Sequence, residues 1–198
     1  MNLLANGLSA ADHDEDALGV REAELSTMRR LGASEHNMLI SQGNLAITYE
    51  ALGRLEPALE IKRDVYLGHL KLNGKEHHDT LREAENYALS LCKLQRFKEA
   101  KSLMRRSLPV ARRVLGASNL TTIRMSRTYA KALCMADGAT LDDLREAVTT
   151  LEDAEQTGRR VLGGANPITE LIEFALRNAR AALHAREAGK TVVFAEHT

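Results

Sequence analysis

A glycine-marked loop recurs four times along the chain, and that recurrence restricts the fold more than any other feature. The four segments read LGASEHNM, NGKEHHDT, LGASNLTT and LGGANPIT, with their glycines at Gly32, Gly74, Gly116 and Gly163. The intervals are 42, 42 and 47 residues, and the last holds an extra DGATL, without whose five residues it too is 42. Self-similarity at a fixed period of this length is the signature of stacked structural units. Between the loops apolar residues recur at spacings of three and four, strand-like alternation is scarce and there are only three prolines. The units are therefore expected to be helical.

Each unit predicts two helices. Thirteen, fourteen, seventeen and twenty residues after the first three glycines stand Leu45, Ala46, Tyr49 and Leu52, then Tyr87, Ala88, Leu91 and Leu94, then Tyr129, Ala130, Leu133 and Ala136. That is one apolar helical face written three times. A turn follows (LGRLEP, LQRFKE or ADGATLDDLRE), then a second helix opening on Ala58, Ala100 or Ala147, each 16 residues before the next glycine. Alanine there lets the two helices approach closely, with Leu55 or Phe97 filling the space just ahead. One such pair cannot bury both its apolar faces, so successive pairs must stack into an all-α solenoid.

The segments GNLAITYEALGRLEPALEIKRDV and ENYALSLCKLQRFKEAKSLMRRSL resemble tetratricopeptide repeats in the spacing of Leu-Ala, aromatic or Leu, Gly, aromatic and Ala. A period of 42 rather than the usual figure of about 34, together with GKEHHDT in the loop, is similar to the kinesin light chain subtype. The resemblance covers roughly residues 1–185 and implies a right-handed α-solenoid of stacked antiparallel helix pairs, a TPR-like superhelix. The array then spans 1–188: a partial repeat at 1–31, repeats at 32–73, 74–115 and 116–162, and a capping helix at 163–188, with a tail at 189–198. NLLANGLSAADHDEDAL reads as the end of one helix and a turn before a second helix to Leu31, so the chain is expected to begin inside a repeat. Kinesin light chains carry a heptad coiled coil ahead of their repeats, and nothing here sustains heptads, so a motor-subunit role is not expected. Pro109 falls inside a predicted helix from Phe97 to Leu115 and predicts a kink there. In the last unit the apolar stripe shifts to Ile168, Ile172, Ala175, Leu176, Ala179 and Leu183, which suits a terminal cap.

Composition excludes several function classes. Lys plus Arg and Asp plus Glu both number 27, so the whole chain lacks the basic excess of a nucleic-acid binder. No stretch approaches the roughly 20 apolar residues of a membrane span, and the first residues lack the basic start of a signal peptide. A cytoplasmic protein with no membrane or nucleic-acid partner is expected. Cys92 and Cys134 predict reduced thiols, since two cysteines without CxxC make no disulfide framework. No nucleophile, phosphate-cradling or zinc-protease motif occurs, so neither an enzyme, a cofactor nor a small-molecule substrate is expected.

The histidine pair His77-His78 beside Asp79 invites a metal reading. The other three loops repeat neither the histidines nor the carboxylate, whereas a zinc site needs three or four converging ligands. The histidines are therefore read as loop residues with no metal role. Asp79 or Thr80 is expected to cap the following helix, with Glu83 complementing its dipole. A metal-dependent activity at this loop is the weakest alternative.

The resemblance also implies a binding surface, because in this family the first helix of each pair lines a concave wall. The corresponding positions here are Ile40, Gly43, Asn44, Ile47 and Glu50; Arg82, Glu85, Asn86, Leu89, Cys92 and Lys93; and Arg124, Arg127, Thr128, Lys131, Cys134 and Met135. Five cations against two carboxylates predict an acidic partner. Asn44 and Asn86 offer both donor and acceptor to an extended peptide backbone, and Ile47, Leu89 and Met135 offer apolar contact. The expected function is that of a protein–protein interaction scaffold or adaptor holding an acidic extended peptide. The alternative is a structural piece of a longer or self-associating array.

Overall fold

The computed structural model describes residues 2–10 and 13–189. The tail expected at 189–198 lies, beyond Gly189, outside the described residues. These form helices α1 (Asn2–Ala10), α2 (Asp14–Arg30), α3 (Glu35–Ala51), α4 (Leu55–Asn73), α5 (His78–Lys93), α6 (Phe97–Val114), α7 (Leu120–Met135), α8 (Leu141–Leu162) and α9 (Pro167–Glu187). No strand occurs among the described residues. Two compact units divide the chain, Met1–Leu94 and Gln95–Thr198, with the boundary in the turn between α5 and α6.

The repeated loop owes its glycine to backbone geometry. Gly32, Gly74, Gly116 and Gly163 have φ of 65°, 80°, 85° and 91°, in the left-handed region where a Cβ is costly. Two residues after Gly32, and three after each of the others, the next helix is capped. His77 Nδ1 accepts the Asp79 N–H at 3.2 Å, Asn119 Oδ1 accepts the Thr121 N–H at 2.9 Å, and Asn166 Oδ1 accepts the Ile168 N–H at 2.9 Å. In the first loop Ser34 Oγ takes the Asn37 N–H at 3.3 Å. The cap of α5 is thus His77 rather than Asp79 or Thr80: imidazole Nδ1 is bonded to Cγ just as the Asn oxygen is, and reaches the same amide.

Six residues after three of the four glycines stands a buried threonine, Thr80, Thr122 or Thr169, at most 2% exposed. Thr80 Oγ1 donates to the His69 carbonyl at 3.1 Å and ties α5 to α4. The hydroxyls of Thr122 and Thr169 are buried with no partner. Removing a made bond leaves a buried acceptor unmet, whereas removing an unmet hydroxyl relieves desolvation. Thr80→Val is expected to lower stability by about 1–3 kcal/mol, while Thr122→Val and Thr169→Val leave it unchanged or raise it. Urea midpoints for the three variants test this, and equal losses in all three would sink it.

Within the first unit α1 packs on α2, α2 on α3, α3 on α4 and α4 on α5. Leu18, Leu25 and Leu45 form a core cluster with Met38, Tyr49, Leu52 and Ile61 against it. Gly68 of α4 sits where any Cβ would fall inside the buried Leu39 side chain of α3, so these helices meet almost backbone to side chain. Within the second unit α6 packs on α7, α7 on α8, and α9 on both α8 and α7. Its core includes the fully buried Met104, Ile123, Met125, Leu133, Leu151 and Ile172. Ala58, Ala100 and Ala147, the small residues opening the second helices, are all 0% exposed. α6 runs unbroken through Pro109, which lies on its exposed side. Ile172, Leu176 and Ala179 are the buried stripe of α9, with Arg177 and Arg180 exposed.

Candidate peptide-binding faces

In the first unit the anticipated positions fall on α3 and α5. Ile47 is 58% exposed, Lys93 is exposed, and Asn44, Arg82, Asn86 and Leu89 are half-buried. Glu85 and Cys92, at 1% and 3% exposure, are closed to a ligand. Asn86 Nδ2 donates to Glu83 Oε2 at 2.9 Å, while Arg82 reaches Glu83 Oε1 through Nε at 3.0 Å and Asp79 Oδ1 through Nη1 at 3.0 Å. Both carboxylates lie outside the set of first-helix positions counted from sequence, and they offset Arg82.

Glu50 is the hub of the same face. Lys62 Nζ lies 2.7 Å from Oε1, Lys93 Nζ 2.8 Å from Oε2, and Ser90 Oγ donates to Oε1 at 2.5 Å. Burial alone would raise the Glu50 pKa, but hydrogen bonds from Lys62, Lys93 and Ser90 outweigh it and hold the carboxyl below its usual range. Burial pushes the Lys62 ammonium down, with Glu50 opposing. The α3 and α5 parts of this face are therefore stitched together through Glu50, and Lys93 is shared between this network and solvent.

In the second unit the anticipated positions fall on α7. Arg124, Arg127 and Met135 are half-buried and Lys131 is exposed. Thr128 at 1% and Cys134 at 8% exposure are buried. Burial, then Asp143, push the Cys134 thiol up to about 12, which leaves it protonated and unreactive at neutral pH. Nothing acidic occurs anywhere in α7, LTTIRMSRTYAKALCM.

A feature not anticipated from sequence is a cleft of about 330 Å³ in the second unit, lined by Lys98, Lys101, Arg105, Arg106, Asp143 and the Ala136–Ala139 turn. Asp143 answers Lys101 at 2.7 Å and Arg105 at 3.8 Å. The signal was the DGATL insertion, which lines this cleft and which a repeat alignment treats only as an interruption. His77 and His78 are about half exposed, each with Nδ1 within 3.7 Å of an Asp79 oxygen.

Comparison with known proteins bears on what these faces do. A family model described as the tetratricopeptide repeat matches residues 39–79 and 84–119. Over these two segments the chain is similar to tetratricopeptide-repeat proteins. Its fold is similar to that of the nearly identical TPR-like repeats of a kinesin light chain-like protein from Podospora anserina. A crystal structure of those repeats carrying one substitution gives a TM-score of 0.77 at 22% identity, covering 93% of this chain and 85% of the other. A second crystal structure of the repeats gives 0.75 at 22% identity over 93% and 86%. BtubC (BKLC) of P. vanneervenii gives 0.56 at 14% identity over 100% and 83%. At these identities the likeness is one of fold: an all-α stack of helix pairs. Comparison with curated proteins gave no match. Tetratricopeptide repeats generally mediate protein–protein interactions, and the fold is typically a non-enzymatic scaffold. Among the described residues no helix is long and apolar enough to cross a membrane.

Proposed function

We propose that this chain is a cytoplasmic adaptor of the tetratricopeptide-repeat kind that holds acidic, extended segments of other proteins, with the α7 face of its second unit as one binding surface and the α3–α5 face of its first unit as another. The observation that carries the acidic preference is α7, whose sixteen residues hold Arg124, Arg127 and Lys131 and no carboxylate. Like charges on one helix raise the local positive potential. On α3, Ile47 stays 58% exposed beside Asn44, an apolar contact next to a side chain that both donates and accepts. Asn86 and Leu89 repeat that pairing on α5.

The test is fluorescence anisotropy with an acidic peptide bearing one aromatic residue. Arg124→Glu combined with Arg127→Glu is expected to weaken binding by about 1–3 kcal/mol, on the order of ten- to a hundredfold. Raised salt should weaken the wild type as well. Asn86→Ala should weaken binding with little change in salt dependence, because it removes a hydrogen-bonding group and no charge. A second reading places the acidic segment in the cleft of α6, on the strength of its four cations. Binding lost in Lys98→Glu combined with Arg106→Glu, and kept in the α7 variant, would move the site there. Self-association is favoured by Leu3 and Leu4, 89% and 59% exposed; concentration-dependent sedimentation would reveal it.

A further inference from the structure

The loop histidines have a different significance once α3 and α4 are placed beside them. His36 stands in the first turn of α3, His69 near the end of α4 and Asp79 in the first turn of α5. One ligand atom of each lies within 4.8 Å of both others. We propose that His36, His69 and Asp79 form a site for a divalent transition-metal ion of the zinc class, three helices of the first unit each giving one ligand.

Imidazole nitrogen and carboxylate oxygen are the donors such ions take, and three protein ligands with a remaining position for water is a known zinc arrangement. Bonds of about 2.0–2.2 Å set tetrahedral ligand atoms about 3.4 Å apart, so the trio must close by on the order of 1–1.5 Å. His36 is the member able to do so. It is exposed on the helix end, and its ring meets His69 edge-on, with centroids 5.8 Å apart and planes at 89°.

The other two ligands are already held from outside, as the neighbours of metal ligands usually hold them. His69 is only 1% exposed, with Nδ1 at 3.2 Å from the Asn73 amide nitrogen. Turning that amide over presents its oxygen to an Nδ1 proton and leaves Nε2 as the donor to the ion. Asp79 is oriented by Arg82, whose Nη1 lies 3.0 Å from Oδ1. Glu83 neutralises the same guanidinium at 3.0 Å, which reduces its repulsion of a cation. His77 is committed to capping α5 through Nδ1. The adjacent pair His77-His78 is thus the visible part of the motif, and its functional member is Asp79.

The experiment uses the full chain, stripped with EDTA and titrated with Co2+, read by visible d–d absorption, and with Zn2+, read by calorimetry. Wild type should take one ion per chain. Zn2+ at a hundredfold excess over Kd should raise Tm by on the order of 5 °C, and chelator should reverse the rise. His36→Ala and Asp79→Asn should each weaken binding at least about tenfold, with an unchanged helical circular dichroism spectrum. His184→Ala in the second unit, and His77→Asn, which keeps a capping residue, should bind as wild type. Absence of saturable binding, or wild-type affinity in both His36→Ala and Asp79→Asn, would overturn the proposal. So would loss of binding in His77→Asn with His78→Ala while His36→Ala still binds.

Discussion

Replacing Glu50 with alanine is expected to lower the unfolding free energy by about 3–5 kcal/mol, the cost of leaving one member of a buried ion pair uncompensated. The Glu50 side chain is 12% exposed and its Lys62 partner 9%, so solvent screens the pair little. The loss compounds because Lys93 shares the same carboxylate: without it two ammonium groups face one another with nothing between them. The folded-state pKa of Glu50 is depressed below the ordinary 4.5. Its contribution is therefore present above that value and lost as pH falls through the folded pKa. Asp79 and Asp143, both held below 3.8, extend the loss to lower pH. Urea midpoints across that acid range should fall in wild type and fall less in Glu50→Ala. Lys62→Met in the Glu50→Ala background should recover part of the stability, the diagnostic of a coupled pair. A loss below about 1 kcal/mol in Glu50→Ala would mean that Lys62 escapes to water and that the pair contributes little.

Ile172→Ala is expected to cost about 2–5 kcal/mol, as fully buried branched side chains do. Ile172 is 0% exposed and lies over Gly158 of α8, a residue with no side chain of its own to move into the void. Deleting residues 168–198 goes further, because α9 covers both α8 and α7. The uncovered apolar surface should drive aggregation, detectable by light scattering. A soluble truncation with an unchanged urea midpoint would show that α9 is not a cap.

The period and the helix faces were legible because they depend on residue type at a fixed offset. A left-handed φ demands glycine at residues 32, 74, 116 and 163, and close helix approach demands alanine at residues 58, 100 and 147. A periodic pattern reports such local requirements directly. The α5 cap was misplaced because imidazole is not a usual capping side chain, although Asn119 and Asn166 stand at the equivalent places. The site was less legible. Counting groove positions on first helices found Arg82 and Lys93 but passed over Asp79 and Glu83, which pair with Arg82 within α5 itself, and Lys62, whose approach to Glu50 depends on how α4 packs on α3. His36 and His69 are 33 residues apart and on different helices, so no spacing rule joins them. Arg21 is buried and bonds Thr48 at 2.8 Å and Asn6 at 2.7 Å; on sequence it reads as an ordinary surface cation.

The turn between α7 and α8, together with the opening residues of α8, takes up the five residues by which the last interval exceeds 42, yet α8 runs on in frame, with Ala147 buried 16 residues before Gly163. Thr140 and Asp143 restart it with reciprocal side-chain caps, a local device indifferent to what precedes it. Asp137 and Gly138 are exposed. Length can thus be added at this position without shifting the register of the helices that follow, which makes it the natural place to splice in an epitope or a reporter domain. The glycine loops offer no such freedom, since each must set a backbone angle and a cap within three residues.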